Sequence, residues 1–333
     1  MSIQSEIDRL KTAKSGLATA ITGKGVTVPE DATLSDYPAL VDQIQTGGGG
    51  GEPEPPDDGK TRLYIHVPEN AKEGLPPPRA DVPLYISQTV SDGVTIDWGD
   101  DSEPETISGT GNVNTAHYYA AGGDYVIALT VTDGCELGFG WNSSDYCVMG
   151  STSNHNYVYC NMLQKVVTGN GVTSIGISAF QNCYSLASVV IPDSVTSIES
   201  FAFYYCYSLA SVVIPDSVTS IGSFAFFYCY SLASVVIPDS VTSIGSSTFY
   251  YCYSLASVVI PDSVTSIGRS AFYCCYGVKE YHILVITPPT IQSNTFNDIP
   301  SDCIIYVPAG TVDAYKTATN WAELADHIQE EPA

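Results

Sequence analysis

The sequence predicts a mainly β protein with short helices: an N-terminal helical hairpin, then a β-sandwich, then a solenoid of 23-residue period closed by a C-terminal cap. Three observations carry that expectation. Cys160, Cys183, Cys206, Cys229, Cys252 and Cys275 recur every 23 residues, the rhythm of stacked structural units. The sixteen residues Cys183–Ile198 return unchanged at 206–221, 229–244 and 252–267. Ahead of them, short apolar runs alternate with Pro-, Gly- and Asp-rich turns, the pattern of strands joined by tight connections.

Residues 1–46 read as helical. Ile3, Ile7, Leu10, Lys14, Leu17 and Ile21 alternate steps of four and three, a three-heptad seam with one lysine in it. Tyr37, Leu40, Val41 and Ile44 suggest a second helix from about Ser35. A self-packed hairpin and a module for oligomerisation or attachment are both compatible with so short a seam. Residues 47–59 form a linker, five glycines followed by a Pro/Glu/Asp stretch, and its 13 residues span roughly 20 Å as a coil.

Residues 60–140 turn to β. Leu63–Val67, Val82–Ile86, Val94–Trp98 and Tyr125–Val131 alternate or cluster apolar residues between turns, as in a sandwich. The segments Val94-Thr95-Ile96-Asp97-Trp98-Gly99-Asp100-Asp101-Ser102 and His117 to Asp133 resemble the two signature strands of PKD-like immunoglobulin-type domains. That resemblance implies a spacer or adhesive module and no chemistry. It departs at Asp101, where such domains usually carry glycine. Asp97, Asp100, Asp101, Glu103 and Glu105 supply the oxygen ligands a calcium ion wants, and equally the side chains that cap a hairpin turn.

Residues 141–286 hold the repeat array, and residues 287–333 its cap. One 23-residue copy has too few apolar residues to enclose a core, but stacked copies cover one another and pair their strands in parallel. Leu186, Val189, Ile191, Val195, Ile198, Phe203 and Cys206 are the expected inward positions. Pro192, Pro215, Pro238 and Pro261 end the Val-Val-Ile strand because proline has no amide for the ladder. The cysteines form either a row of small buried thiols or, alternatively, disulfides or a metal site, although no paired CxxC motif points to zinc. The motif resembles the BspA-like, Treponema-type leucine-rich repeat. Thr287 to Ile328 resembles the usual C-terminal closure of such arrays, with a strand at Ile304–Val307, a helix from about Val312 and a second helix around Trp321–Ile328.

The copies differ in the seven places between each Ile and the next Cys. Phe is constant at place five, whereas places two, three, six and seven supply Phe201, Tyr204, Tyr205, Phe224, Phe227, Tyr228, Tyr250, Tyr251 and Tyr273. Tyr184, Tyr207, Tyr230, Tyr253 and Tyr276 add an invariant column beside them. Tyrosine offers rigid amphipathic area at low entropic cost, which binding surfaces favour. This aromatic side is therefore the candidate surface for a cell-surface glycan or protein; the structural alternative is that the rings pack between turns.

Composition narrows the function classes. The 333 residues include 12 basic and 36 acidic side chains, a formal net charge of −24, and 14% charged residues against roughly 25% in ordinary soluble domains. Such a balance repels phosphate and disfavours nucleic acid and anionic membrane as partners. No run reaches the about 18 consecutive apolar residues of a membrane span. Met1 to Leu10 lacks the basic start, apolar stretch and cleavage site of a secretory signal. His66, His117, His155, His282 and His327 are scattered outside any nucleophile or metal motif, so neither enzymatic activity nor a cofactor is expected.

The first 46 residues, notably Ile3 to Leu10 and Gly25 to Pro29, are similar to N-terminal modules of phage tail-fibre and minor tail proteins. That similarity implies attachment to other virion subunits through residues 1–46, synthesis in the cytoplasm and residence in a virion. The repeats, in contrast, resemble those of bacterial surface adhesins, which implies an extracellular location. A structural spacer without a ligand is the third expectation.

Overall fold

A computed structural model describes residues 58–69, 81–140, 146–151 and 158–332. The helical module expected at 1–46 and most of the linker at 47–59 lie outside the described residues. What is described is mainly β, with one six-residue α-helix at Val312–Thr317 and single 3-10 turns at Val158–Met162 and Ala322–Leu324.

The array coils as a β-solenoid whose register the sequence period dictates. Ser188 lies opposite Ser211, Val189 opposite Val212 and Val190 opposite Val213 in a parallel pair, and the next turn repeats the match at Ser234, Val235 and Val236. The second strand of each turn, Ser197–Ile198, Ser220–Ile221, Ser243–Ile244 and Ser266–Ile267, builds a second parallel ladder. All seven inward positions expected from the sequence are buried, from Leu186 at 0% exposure to Ile191 at 6%. Phe180, Phe203, Phe226, Phe249, Phe272 and Phe296 stack along the interior with ring centroids 5.1–5.4 Å apart.

Small polar groups lock each turn to the one before it. The Ser217, Ser240 and Ser263 hydroxyls donate to the carbonyls of Val195, Val218 and Val241 at 2.6–2.7 Å, and Ser194 does the same with Val172. This bond explains the serine after each Pro-Asp. The cysteines are free and buried thiols. Cys206, Cys229, Cys252 and Cys275 donate to the carbonyls of Phe180, Phe203, Phe226 and Phe249 at 3.1–3.3 Å. A weak S–H donor of small volume suits that place, where the chain needs both packing and a partner for a buried carbonyl. Burial pushes these thiols up, Cys183 to about 12. Gly222 opens place one because a Cβ there would stand 2.5 Å from the Ser200 backbone nitrogen.

The sandwich expected at 60–140 is present in its strands, but no break separates it from the solenoid at residue 140. Its two sheets are the two ladders of the solenoid, continued. Thr61–Val67 pairs antiparallel with Leu163–Val167, the first strand of one ladder, and with Gly123–Val131 on its other side. Leu137–Phe139 pairs parallel with Val172–Ile175, the first strand of the other ladder, and antiparallel with Asp81–Gln88. One eight-stranded and one nine-stranded sheet thus run from the sandwich into the array, and a single apolar core extends from Leu63 to Ile328. The physical reason is edge protection, since the first coil would otherwise present two unpaired strand edges. At Asp101, φ is +61°, so aspartate adopts the left-handed turn conformation that glycine usually takes, as its short polar side chain permits.

At the other end, Ser257–Ile260, Glu280–Ile283, Ile304–Val307 and Ile328–Glu330 form a four-stranded sheet. The strand at 304–307 and the helix from Val312 fall where the sequence places them. The second helix does not form. Around Trp321–Ile328 the chain makes one 3-10 turn and then the strand Ile328–Glu330, parallel to Ile304–Val307. Trp321 is buried with its Nε1 donating to the Pro289 carbonyl at 2.8 Å. That anchor aims the following residues at the open edge, and edge pairing wins over helix propensity.

Two predictions follow from these ends. A fragment of residues 141–333 alone bares both first-strand edges and the core side of Phe180, so it should aggregate in size-exclusion chromatography where a chain from residue 58 stays soluble. His282 meets Glu331 at 2.9 Å and Glu280 at 3.4 Å. Burial works to lower its pKa, but these two carboxylates prevail and hold it above the ordinary value of 6.5. The stabilisation is complete below about 6.5 and is lost as pH rises through the raised folded value. Calorimetry should show a Tm that falls between pH 6 and pH 8, and the His282→Gln variant should lose that part of the pH dependence.

Candidate functional site

The seven variable places fold into a chain of tight turns. In the copy at 199–205, Ala202, Tyr204 and Cys206 amides each bond to the carbonyl three residues back. The odd-place amides instead reach the next coil: Phe201, Phe203 and Tyr205 donate to the carbonyls of Ser223, Ala225 and Phe227 at 2.7–3.1 Å. Within this alternation places three and seven adopt left-handed backbone, and place five does not. Phe201, Tyr205, Phe224, Tyr228 and Tyr251 have φ of 60–63°.

All twelve aromatic residues expected at the candidate surface come together there, in four columns. Tyr207, Tyr230 and Tyr253 stand between Tyr184 and Tyr276, with successive centroids 4.8, 5.0, 5.1 and 5.5 Å apart and rings within 15° of parallel. Tyr204, Phe227, Tyr250 and Tyr273 stack at 4.7–4.9 Å. Tyr205, Tyr228 and Tyr251 follow at 5.1 and 4.6 Å. Phe201 and Phe224 lie 2° from parallel, after which Ser247 and Ser270 take the place and the phenyl column stops. Neighbouring columns touch, as in Tyr204 against Tyr205 at 4.2 Å. The rings therefore do pack between turns, as the structural alternative expects, yet most remain half-buried, and Tyr253 is 38% and Tyr276 51% exposed.

Energetics make this arrangement informative. A bulky residue in left-handed backbone costs roughly 1–3 kcal/mol, and each stacked pair contributes about 0.5–1.5 kcal/mol. The two nearly cancel. Elsewhere along the same chain, places three and seven hold Ser178, Asn182, Ser247, Ser270 and Cys274 with the same backbone, so folding does not require aromatic residues there. Arg269 is an exposed cation at place two, and its carbonyl accepts the Ser247 amide at 2.8 Å.

The other candidates resolve into local contacts. Asp97 accepts the Gly99 amide at 3.0 Å, and Asp100 accepts the Ser102 amide and hydroxyl at 3.3 and 2.6 Å. Glu105 accepts from Thr115 at 2.6 Å. The two aspartate contacts are bonds of the turn-capping kind, and the glutamate bond joins two strands. His66 and His117 pair with Asp124 and Asp100, each at 2.7 Å, and His327 with the Cys303 carbonyl at 2.8 Å; His155 lies outside the described residues. Among the described residues no helix is long and apolar enough to cross a membrane.

Tyr207, Tyr228 and Tyr230 hold their protons tightly. Burial raises Tyr207 and Tyr228, and raises Tyr230 to about 12, with the neighbouring phenols adding to the effect. An unfolded tyrosine ionises near pH 10, so the folded chain binds more protons above that pH. Stability should fall as pH rises from about 10 towards 12. Absorbance at the phenolate band should show ionisation delayed in the native protein and completed together with loss of circular dichroism.

Comparison with known proteins places the array. The BspA type leucine rich repeat region matches residues 151–279, in six copies. A leucine-rich repeat protein from Bacteroides ovatus is 27% identical over 43% of this chain and 37% of its own, with a TM-score of 0.38, so the chain spans little over a third of that protein. The T. pallidum leucine rich repeat protein is 25% identical over 60% of this chain and 92% of its own, TM-score 0.35. A leucine rich cell surface protein from Faecalibacterium prausnitzii is 24% identical over 49% and 64%, TM-score 0.29. No curated protein matches the chain. The 23-residue register of residues 151–279 is thus the one that the BspA type leucine rich repeat region matches.

Proposed function

We propose that this is a non-enzymatic recognition and adhesion protein of the BspA-like surface type, and that its aromatic columns bind a glycan or protein on a bacterial cell surface. The observation that carries this reading is the placement of Phe201, Tyr205, Phe224, Tyr228 and Tyr251 in left-handed backbone. Asn182 takes the same backbone at lower steric cost, and the smaller serine stands in it at Ser247 and Ser270. Aromatic residues kept where folding gains little from them are explained by what they present to solvent. BspA-type repeats are generally found on surface or extracellular proteins, which favours an extracellular location.

A second reading, a phage or prophage tail-associated protein attached through residues 1–46, is supported by the resemblance of Ile3 to Leu10 and Gly25 to Pro29, which lie outside the described residues. The PKD-like reading of the sandwich is supported by Val94 to Ser102 and His117 to Asp133. In either reading the sandwich acts as the rigid base of the array.

Asparagine is the substitution that tests the surface, because Asn182 occupies place seven in the first copy with φ +61°. The triple variant Tyr205→Asn, Tyr228→Asn and Tyr251→Asn should keep its circular dichroism and change stability by less than about 2 kcal/mol, while losing binding to target cells in a labelled-protein assay. Unchanged binding would remove the aromatic surface from the account.

A further inference from the structure

The stacking says which part of each ring a ligand can meet. Within a column the faces lie against one another, with planes 4–15° apart from Tyr184 to Tyr276. A ligand along the column therefore meets ring edges and phenol hydroxyls rather than open faces, and stacking of a sugar or base on a ring face is unavailable except at the column ends. What remains is a row of phenol groups, one per coil, whose rings stand 4.8–5.5 Å apart from centroid to centroid.

A row of that kind selects a polymer of the same repeat. An extended peptide is out of step, because side chains on one face recur every two residues, about 6.6 Å, and lose register within two coils. An extended chain of β-1,4-linked pyranoses advances one ring and one bridging oxygen per unit, a repeat on the scale of the 4.8–5.5 Å ring spacing, and although successive units are turned over, each presents a hydroxyl-bearing edge to the row. Each sugar then offers hydroxyl donors and acceptors to one phenol, which can do both. Charge is sparse along the rings, with the Arg269 guanidinium and the Asp298 carboxylate beside Tyr273 and Tyr276 confined to one end, which agrees with a neutral polymer. From Ser151 to Tyr276 the chain has five acids, Asp193, Glu199, Asp216, Asp239 and Asp262, and two bases, Lys165 and Arg269.

We propose that the columns bind an extended, neutral β-1,4-linked polysaccharide lying along the solenoid axis, one sugar per coil, read chiefly by the hydroxyls of Tyr207, Tyr230 and Tyr253. This rests on the aromatic columns being the recognition surface, and it names the ligand class of that surface. At the ends of the row, Tyr184 meets Asn182 Oδ1 at 3.4 Å and Tyr276 meets Cys274 Sγ at 3.1 Å, so both outer phenols are oriented as well.

The test is calorimetric titration of the full chain with β-1,4-linked N-acetylglucosamine and glucose oligomers of two to eight units, beside α-1,4-linked glucose oligomers of equal length. Affinity should rise about tenfold or more from the dimer to the pentamer and then level off, since five rings form the row, and the α-linked series should not bind. The variant Tyr207→Phe, Tyr230→Phe and Tyr253→Phe keeps the stack and should keep its Tm, but bind the pentamer about tenfold more weakly or worse. Affinity independent of length, equal binding of the α-linked series, or wild-type affinity in the Phe variant would overturn the proposal. If no oligomer binds while the asparagine variant still loses cell binding, the polysaccharide is wrong and the recognition surface stands. If the asparagine variant and the Phe variant both bind cells normally, the surface itself is wrong.

Discussion

The in-register stacking of each residue on its own copy 23 positions later is the constraint on which the rest of the structure depends. It makes every favourable contact repeat: Val on Val in the ladder, Phe on Phe in the core, thiol on carbonyl and serine on carbonyl between coils. Each coil is held by its neighbours alone, so stability adds coil by coil. A residue that fits once fits everywhere, which is why sixteen of the 23 positions are invariant across four copies. The same rule forbids a misfit anywhere in the inner columns.

Register alone leaves two open ends, and the supporting segments are shaped by that problem. The N-terminal sandwich closes one end by sharing both sheets with the array. The last strand Ile328–Glu330 closes the other by covering Ile304–Val307. Each closure turns an edge that would template aggregation into a paired ladder. The acidic side chains concentrate in these outer segments, with the coils nearly neutral between them. Charge is thus concentrated where the surface is ordinary and is sparse on the face that carries the rings, where Arg269 and Asp298 stand at one end.

The aromatic columns follow from the same register with a different result. Stacking makes the rings support one another, while left-handed backbone at places three and seven makes each of them costly. A surface in which these opposing terms nearly cancel is free to vary without unfolding the coil. The change from Phe224 to Ser247 within one column shows that freedom. Variation confined to exposed places over an invariant core is what a recognition surface built on repeats requires.

The period, the inward residues, the proline stops and the membership of the aromatic surface were legible because each is a local pattern repeated several times. Leu186, Val189, Ile198 and Phe203 could be read as inward from periodicity alone, nine of the twelve aromatic residues from where the copies differ, and Tyr207, Tyr230 and Tyr253 from the invariant column beside them. The strand at Ile328–Glu330 was not legible, because its partner edge and the Trp321 anchor come from elsewhere in the chain. Nor was the orientation of the rings, since faces and edges are distinguished only when one coil lies on the next. By itself the sequence determined that this protein coils with a 23-residue repeat and what each coil buries. Only the tertiary structure decided that the sandwich and the array are one body, because pairing Thr61–Val67 with Leu163–Val167 joins segments distant in sequence through backbone bonds that no side-chain pattern records.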